Sequence, residues 1–253
     1  MKVAVIQFPG TNCERETAYA LQQCGVPADI LRWNQAERLD RYDGVVLPGG
    51  WSYEDRIRAG VIASKDPLMQ TVKEQARLGK PVLGICNGAQ ILVESGIIPG
   101  LQDNVQMALA PNSNPFVQGY YCTWVWIKAM TRKTAFTSRV ESKIPIVIAH
   151  AEGRFVSAEH GLMERLARQG QLVFQYCDEQ GKEDGFPTNP NGAMLSAAGI
   201  GNKEGNVLAM MPHPERSTFG FQLQHLGWKD GLAPASAIFR SMRDHLMKTG
   251  GGR

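Results

Sequence analysis

The apolar positions of this chain fall into two regimes. Over residues 1–100, short β-branched runs alternate with stretches of helical spacing. Lys2 to Gln7 predicts a strand and Phe8-Pro9-Gly10 a turn. Thr11 to Glu14 has the spacing of a capping box, with a helix to about Cys24 closed by Gly25 and Pro27. Ala28 to Trp33 and Gly44 to Leu47 read as strands, the second ending in Pro48-Gly49-Gly50. Asp66-Pro67 predicts the start of a helix to about Leu78, with Gly79 as its stop. Pro81 to Ile85 is a further strand that runs at once into the helical pattern Ala89 to Glu94. This alternation predicts a single α/β domain around a largely parallel open sheet with helices on both faces.

After Gly100 the pattern changes. Ala110 to Gln118, rich in Pro, Asn and Gln, predicts a loop. Tyr120 to Ile127, Ile144 to His150 and Leu172 to Tyr176 predict strands set closer together, as in an added mixed or antiparallel part of the sheet. Gln180 to Gly192 reads as a polar loop. Val207 to Met211 is a strand ending in Pro212-His213-Pro214-Glu215, and Ala233 to Met247 an amphipathic helix. No repeat or linker divides the chain, which predicts one domain over residues 1–248 and a disordered tail over 249–253.

Composition narrows the function classes. The chain has 253 residues, 43% hydrophobic and 20% charged, with a net charge of +3 that is too weak to predict a nucleic-acid partner. No apolar run reaches membrane-spanning length, and the apolar start Met1 to Ile6 ends too early for a secretion signal. Five cysteines, widely spaced and without Cys-x-x-Cys, form neither a disulfide framework nor a zinc motif. A cytoplasmic protein that binds no metal is expected. Neither a phosphate-binding P-loop nor a dinucleotide fingerprint is present, and Gly199-Ile200-Gly201-Asn202 is out of register for the latter.

The candidate chemistry centres on Gly84-Ile85-Cys86-Asn87-Gly88. A strand, a sharp turn and a helix make this the thiol form of the nucleophile elbow. The flanking glycines permit a tight turn, and the helix amino terminus favours a thiolate. The competing reading is a packed core cysteine. His213, also at a strand end, is the candidate base. Pro214 restricts it to extended conformations, so Glu215 two residues on projects to the same side and can orient the ring. His150 is a second candidate base, ranked as substrate-lining. Acyl transfer also needs an oxyanion hole, for which the main-chain N–H groups of Asn87 and Gly50 are the candidates. Nothing visible would activate an acceptor with ATP, so any synthetic use of released ammonia requires another polypeptide.

These residues resemble the class I glutamine amidotransferases, which carry a Cys-His-Glu triad. Phe8-Pro9-Gly10-Thr11-Asn12-Cys13, Leu47-Pro48-Gly49-Gly50-Trp51-Ser52-Tyr53, Gly84-Ile85-Cys86-Asn87-Gly88-Ala89-Gln90, Ile148 to Gly153 and Met210 to Arg216 follow the order of one branch. That branch is the glutaminase subunits of phosphoribosylformylglycinamidine synthase in purine biosynthesis. The resemblance implies that Cys86 attacks the amide of L-glutamine, with His213 and Glu215 as base and orienter. It also implies that Gly49, Trp51, Gln90 and His150 line the substrate pocket. Ammonia would pass to a large ATP- and magnesium-using synthase subunit, assisted by a small accessory subunit, and this chain would bind no cofactor itself. The chain departs from the branch pattern at Glu54, where glycine is usual, at Arg56 in place of an aromatic, at Ala193 in place of serine, and over Phe219 to Lys229. A glutaminase serving another acceptor, a stand-alone cysteine hydrolase of related fold and a silent binding module remain alternatives. The hydrolase would have a histidine directly after the elbow, where this chain has Asn87.

Overall fold

The computed structural model describes residues 1–102 and 104–250. Its elements begin β1 (Val3–Gln7), α1 (Glu14–Gln23), β2 (Ala28–Arg32), β3 (Gly44–Leu47), α2 (Pro67–Arg77), β4 (Val82–Ile85) and α3 (Asn87–Glu94). They continue through β5 (Ala108–Ala110), β6 (Tyr121–Ala129), β7 (Lys143–His150), β8 (Arg154–Val156), α4 (Leu162–Arg168) and β9 (Leu172–Cys177). The chain finishes with β10 (Ala197–Gly201), β11 (Val207–Met210) and α5 (Ser236–Gly250). Among the described residues nine strands form one sheet in the order β2-β1-β3-β4-β11-β10-β9-β6-β7, while β5 and β8 pair as a separate ribbon.

The sheet is parallel from β2 to β11 and antiparallel from β11 to β7, the mixed architecture expected from the two regimes of the sequence. Helices cover both faces. A Cβ on Gly44 of β3 would meet Met242 of α5, whereas Leu47, three residues on and so on the opposite face, packs against Gly88 of α3. Residues buried from Val3 to Leu246 form one continuous core. Strand β11 comes last in the chain yet lies beside β4, with Val207 opposite Val82 and Met210 opposite Ile85. That adjacency brings the segments after Ile85 and after Met210 to neighbouring carboxyl ends of the sheet, where ligands of such folds bind.

Several local expectations are corrected. The Thr11–Glu14 capping box does not form. The Thr11 hydroxyl accepts from the Phe8 N–H, Glu14 accepts from Gln7 Nε2, and the Asn12 and Cys13 N–H groups donate to Gly49 O. By contrast Asp66 caps α2 as expected, its Oδ1 accepting from the Leu68 N–H at 2.9 Å. Helix α5 runs past Met247 through Gly250, and the remainder of the expected tail, 251–253, lies outside the described residues. Gly199-Ile200-Gly201 belongs to strand β10, buried at every position and so without the alternation that marks a strand. Among the described residues, no helix is long and apolar enough to cross a membrane.

Candidate active site

Cys86 sits between β4 and α3 with φ 50° and ψ −106°, a left-handed backbone that costs a non-glycine residue on the order of 1–3 kcal/mol. The turn is held from both sides. The Cys86 N–H donates to Met210 O at 2.8 Å, and a Cβ on Gly88 would fall 1.9 Å from Leu47 O. Any side chain at Gly88 would therefore force α3 away from β3. The Cys86 sulfur is 3.6 Å from Ala149 O.

His213 is fixed by its own main chain, its N–H donating to Val147 O of β7 at 2.8 Å. Ser217 Oγ accepts from the Val147 N–H at 3.0 Å, which binds the same strand to the turn after His213. His213 Nδ1 and Glu215 Oε1 are 2.5 Å apart, both groups buried. The contact expected from the sequence is present, but its route differs. Pro214 is helical at φ −64° and ψ −32°, so Glu215 reaches the ring by folding back in a short 3₁₀ turn and not along an extended segment. Burial alone would drive the proton off His213. The Glu215 carboxylate, and after it the Cys86 sulfur, more than reverse that and push the imidazole up to about 10. His213 Nε2 has no other partner than the Cys86 sulfur among the described residues.

The loop after β3 forms the facing wall. The Trp51 N–H donates to Gly10 O and Gly49 O accepts from Asn12 and Cys13, which leaves the Gly50 N–H without an acceptor among the described residues. The Asn87 N–H opens α3 and likewise has no acceptor there. The Asn87 side chain ties the two walls together: its Oδ1 accepts from the Ser52 N–H, and its Nδ2 donates to Asp55 Oδ1 and Gln90 Oε1. Gln90 Nε2 donates in turn to Glu152 O at 2.7 Å, so this carboxamide is engaged at both ends and shapes the wall.

These groups surround a small cleft of about 70 Å³. Of the expected site residues, Cys86, His213, Gly50, Trp51, Gln90 and His150 line it, while Asn87 and Glu215 stand behind Gln90 and His213 as their hydrogen-bond partners. Gly49 does not; its carbonyl is turned to Asn12 and Cys13, and a Cβ there would lie 2.8 Å from His213 Cε1. Glycine at this position lets the ring sit against the loop. His150 is buried, its Nδ1 paired with Asn112 Oδ1 at 3.1 Å and its Nε2 without a partner among the described residues. Burial, then repulsion from His213, pushes it down to about 3, which makes it a poor proton carrier.

The cleft also holds residues that sequence reasoning passed over. Tyr120 stacks on Trp51 with ring centroids 6.1 Å apart. Asp55 and Glu152 add negative charge to the lining and Arg216 positive charge. Cys13 Sγ, a His213 ring nitrogen and a Glu215 oxygen lie within 4.8 Å of one another, a grouping no sequence spacing suggested. Arg216 Nη2 donates to Cys13 Sγ at 3.1 Å, a cation placed where a metal ion would have to approach. Glu54 stands at φ 59°, a conformation in which the glycine usual there would carry no penalty.

Residues 1–246 match the family model described as the CobB/CobQ-like glutamine amidotransferase domain. The chain belongs to this glutamine amidotransferase family. It is 48% identical to the phosphoribosylformylglycinamidine synthase subunit PurQ of Methanothrix thermoacetophila, over 97% of this chain and 98% of that relative. It is 42% identical to the PurQ subunit of Pyrococcus horikoshii, over 98% of this chain and 100% of the relative. The solved structure of PurLQS from Thermotoga maritima aligns with a TM-score of 0.78 and 30% identity, covering 97% of this chain and 98% of that one. The glutaminase domain of Trypanosoma brucei CTPS, with bound acivicin, aligns at a TM-score of 0.60 and 13% identity, covering 98% of this chain and 94% of that one, a likeness of fold alone. The amidotransferase fold of the family thus accounts for nearly the whole described chain.

Proposed function

We propose that this chain is the glutaminase subunit of a phosphoribosylformylglycinamidine synthase, releasing ammonia from L-glutamine for purine biosynthesis. The observation that carries the reading is the strained Cys86 elbow beside a buried His213–Glu215 pair, in a chain nearly half identical to a PurQ subunit. In this mechanism the proton of the Cys86 thiol rests on His213 while the sulfur adds to the side-chain amide carbon. The N–H groups of Gly50 and Asn87 receive the developing oxyanion. Collapse expels ammonia with the proton from His213, leaving a γ-glutamyl thioester. Water then adds to the thioester, giving up its proton to His213, and the C–S bond breaks to return glutamate and the thiol.

Glu215 keeps the imidazolium favourable throughout, while Trp51, Gln90 and His150 bound the substrate and Gly49 supports the His213 ring. The chain itself uses no cofactor on this reading. A large synthase subunit, with ATP and magnesium, consumes the ammonia, and a small third subunit completes the complex, in keeping with the likeness to PurLQS of Thermotoga maritima. The cytoplasm is the compartment that fits this pathway and the unpaired cysteines.

The reading is tested by mass mapping after exposure to a glutamine-mimicking electrophile, with and without free L-glutamine. One adduct, on Cys86 and blocked by glutamine, is expected. Indiscriminate labelling of all the cysteines, unchanged by glutamine and by the synthase subunit, would end it.

A further inference from the structure

The loop after β3 brings into the cleft a carboxylate that the mechanism does not use. Asp55 lies in a segment where Tyr53, Glu54, Asp55 and Ile57 all have positive φ, at 53°, 59°, 49° and 75°. Each such residue costs roughly 1–2 kcal/mol. Strain of this kind persists where surrounding contacts impose it, and it gathers at ligand sites. The effect here is to turn Asp55 inward to the cleft while Arg56 and Ile57 stay outside.

Once inside, Asp55 is held by Asn87 Nδ2 at 2.9 Å, on the residue that follows the nucleophile. Its charge is poorly compensated. Burial raises its carboxyl to about 6, the bonds from Asn87 and the Gly60 N–H only partly oppose that, and Glu152 adds repulsion. A carboxylate kept in that state gains from a cation delivered by a ligand. The same cleft holds a buried ring nitrogen without a partner among the described residues, His150 Nε2, so the cavity is built for a polar guest.

We propose that Asp55 recognises the α-ammonium group of the substrate and thereby selects a free α-amino acid over a plain carboxamide. The proposal rests on the glutaminase reading above. With the side-chain amide of glutamine at Cys86, its α-ammonium needs a negative charge elsewhere in the cleft, whose lining carboxylates are Asp55 and Glu152, and Asp55 is the one that burial leaves under-compensated. Asn87 links the two ends, because its N–H is the oxyanion donor and its side chain holds Asp55. A ligand that engages Asp55 therefore also braces the elbow.

The test measures equilibrium binding to the full-length Cys86→Ala protein, which cannot turn over. Two probes are used: L-glutamine, and glutaramate, which is the same molecule without its α-amino group. L-glutamine should bind more tightly than glutaramate, and Asp55→Asn should weaken L-glutamine about ten- to a hundredfold, the worth of a hydrogen bond to a charged group. Glutaramate should bind the Asn variant as it binds the parent. The asparagine keeps an oxygen for Asn87 Nδ2, so the loop retains its anchor. Equal weakening of both probes would assign Asp55 a structural part and overturn the proposal, as would equal binding of both probes to the parent. If L-glutamine fails to bind the parent, alone and with the synthase subunit present, the glutaminase reading falls and this inference with it.

Discussion

His213 and His150 share one cleft and the same 2% exposure, yet their protons are held in opposite senses. His213 has a carboxylate oxygen at 2.5 Å and is pushed up to about 10. His150 has a carboxamide oxygen at 3.1 Å and is pushed down to about 3. Burial acts on both in the same direction, against the charged form. What separates them is the Glu215 carboxylate and, after it, the Cys86 sulfur beside His213, with repulsion from His213 adding to burial at His150. A sheet that brings two imidazoles to one site thus makes one a proton carrier and leaves the other neutral.

The comparison can be broken from either side. The largest effect is expected from Glu215→Gln, which gives His213 the kind of partner His150 has. Glutamine hydrolysis should fall by roughly a thousand- to ten-thousandfold, as when the orienting carboxylate of a triad is neutralised. Steady-state turnover in the assembled complex measures it, and a loss of less than tenfold would remove Glu215 from the mechanism.

Stability against pH sharpens the contrast, because the two rings contribute in opposite windows. His213 binds its proton more tightly folded than unfolded. Its contribution is fully present below about 6.5 and is lost as pH rises toward 10. His150 is held neutral in the fold, so its effect is a loss of stability as pH falls from about 6.5 toward 3. Each slope approaches about 1.4 kcal/mol per pH unit for a single proton. Chemical denaturation across pH should show the alkaline slope flattened in Glu215→Gln and the acidic slope flattened in Asn112→Asp. Unchanged slopes would mean that the partners do not set the protonation.

The smallest effect is expected from Ser217→Ala, which removes the acceptor of the Val147 N–H on the strand whose carbonyl holds His213. A loss of about 1–3 kcal/mol in stability should accompany a change of only a few-fold in turnover. A much larger kinetic loss would place Ser217 in the chemistry.

Legibility in the sequence followed the length scale of the signal. The two sheet regimes could be read because β3 and β4 are short apolar runs closed by glycine or proline, whereas β6 and β7 are longer and aromatic or β-branched. Strand β10 left no trace, since Ala-Ala-Gly-Ile-Gly buried at every position has no period. Cys86, His213 and Glu215 stood out because each sits in a local frame of glycines or prolines. The roles of Asn112 at His150, Arg216 at Cys13 and Asp55 beside Asn87 could not be read this way, although Pro111 precedes Asn112 and Arg216 closes the motif that holds Glu215. Their partners are distant in sequence, and only the closed sheet reveals them. The Glu215 contact follows from the sequence by a different route from the one the structure takes, since a 3₁₀ turn and an extended segment can deliver a side chain to the same neighbour.

The position of β11 has a consequence for how the protein is made. The nucleophile lies in the first half of the chain, but the strand that completes its surroundings is the last of the sheet and lies between β4 and β10. On the ribosome, Cys86 emerges long before the Met210 carbonyl that fixes its turn and the imidazole that follows. The central sheet therefore closes late, through contacts of long sequence separation, a topology associated with slow folding. A nascent or truncated chain ending before residue 213 carries the thiol without its base, so the order of synthesis itself keeps unfinished copies from consuming glutamine.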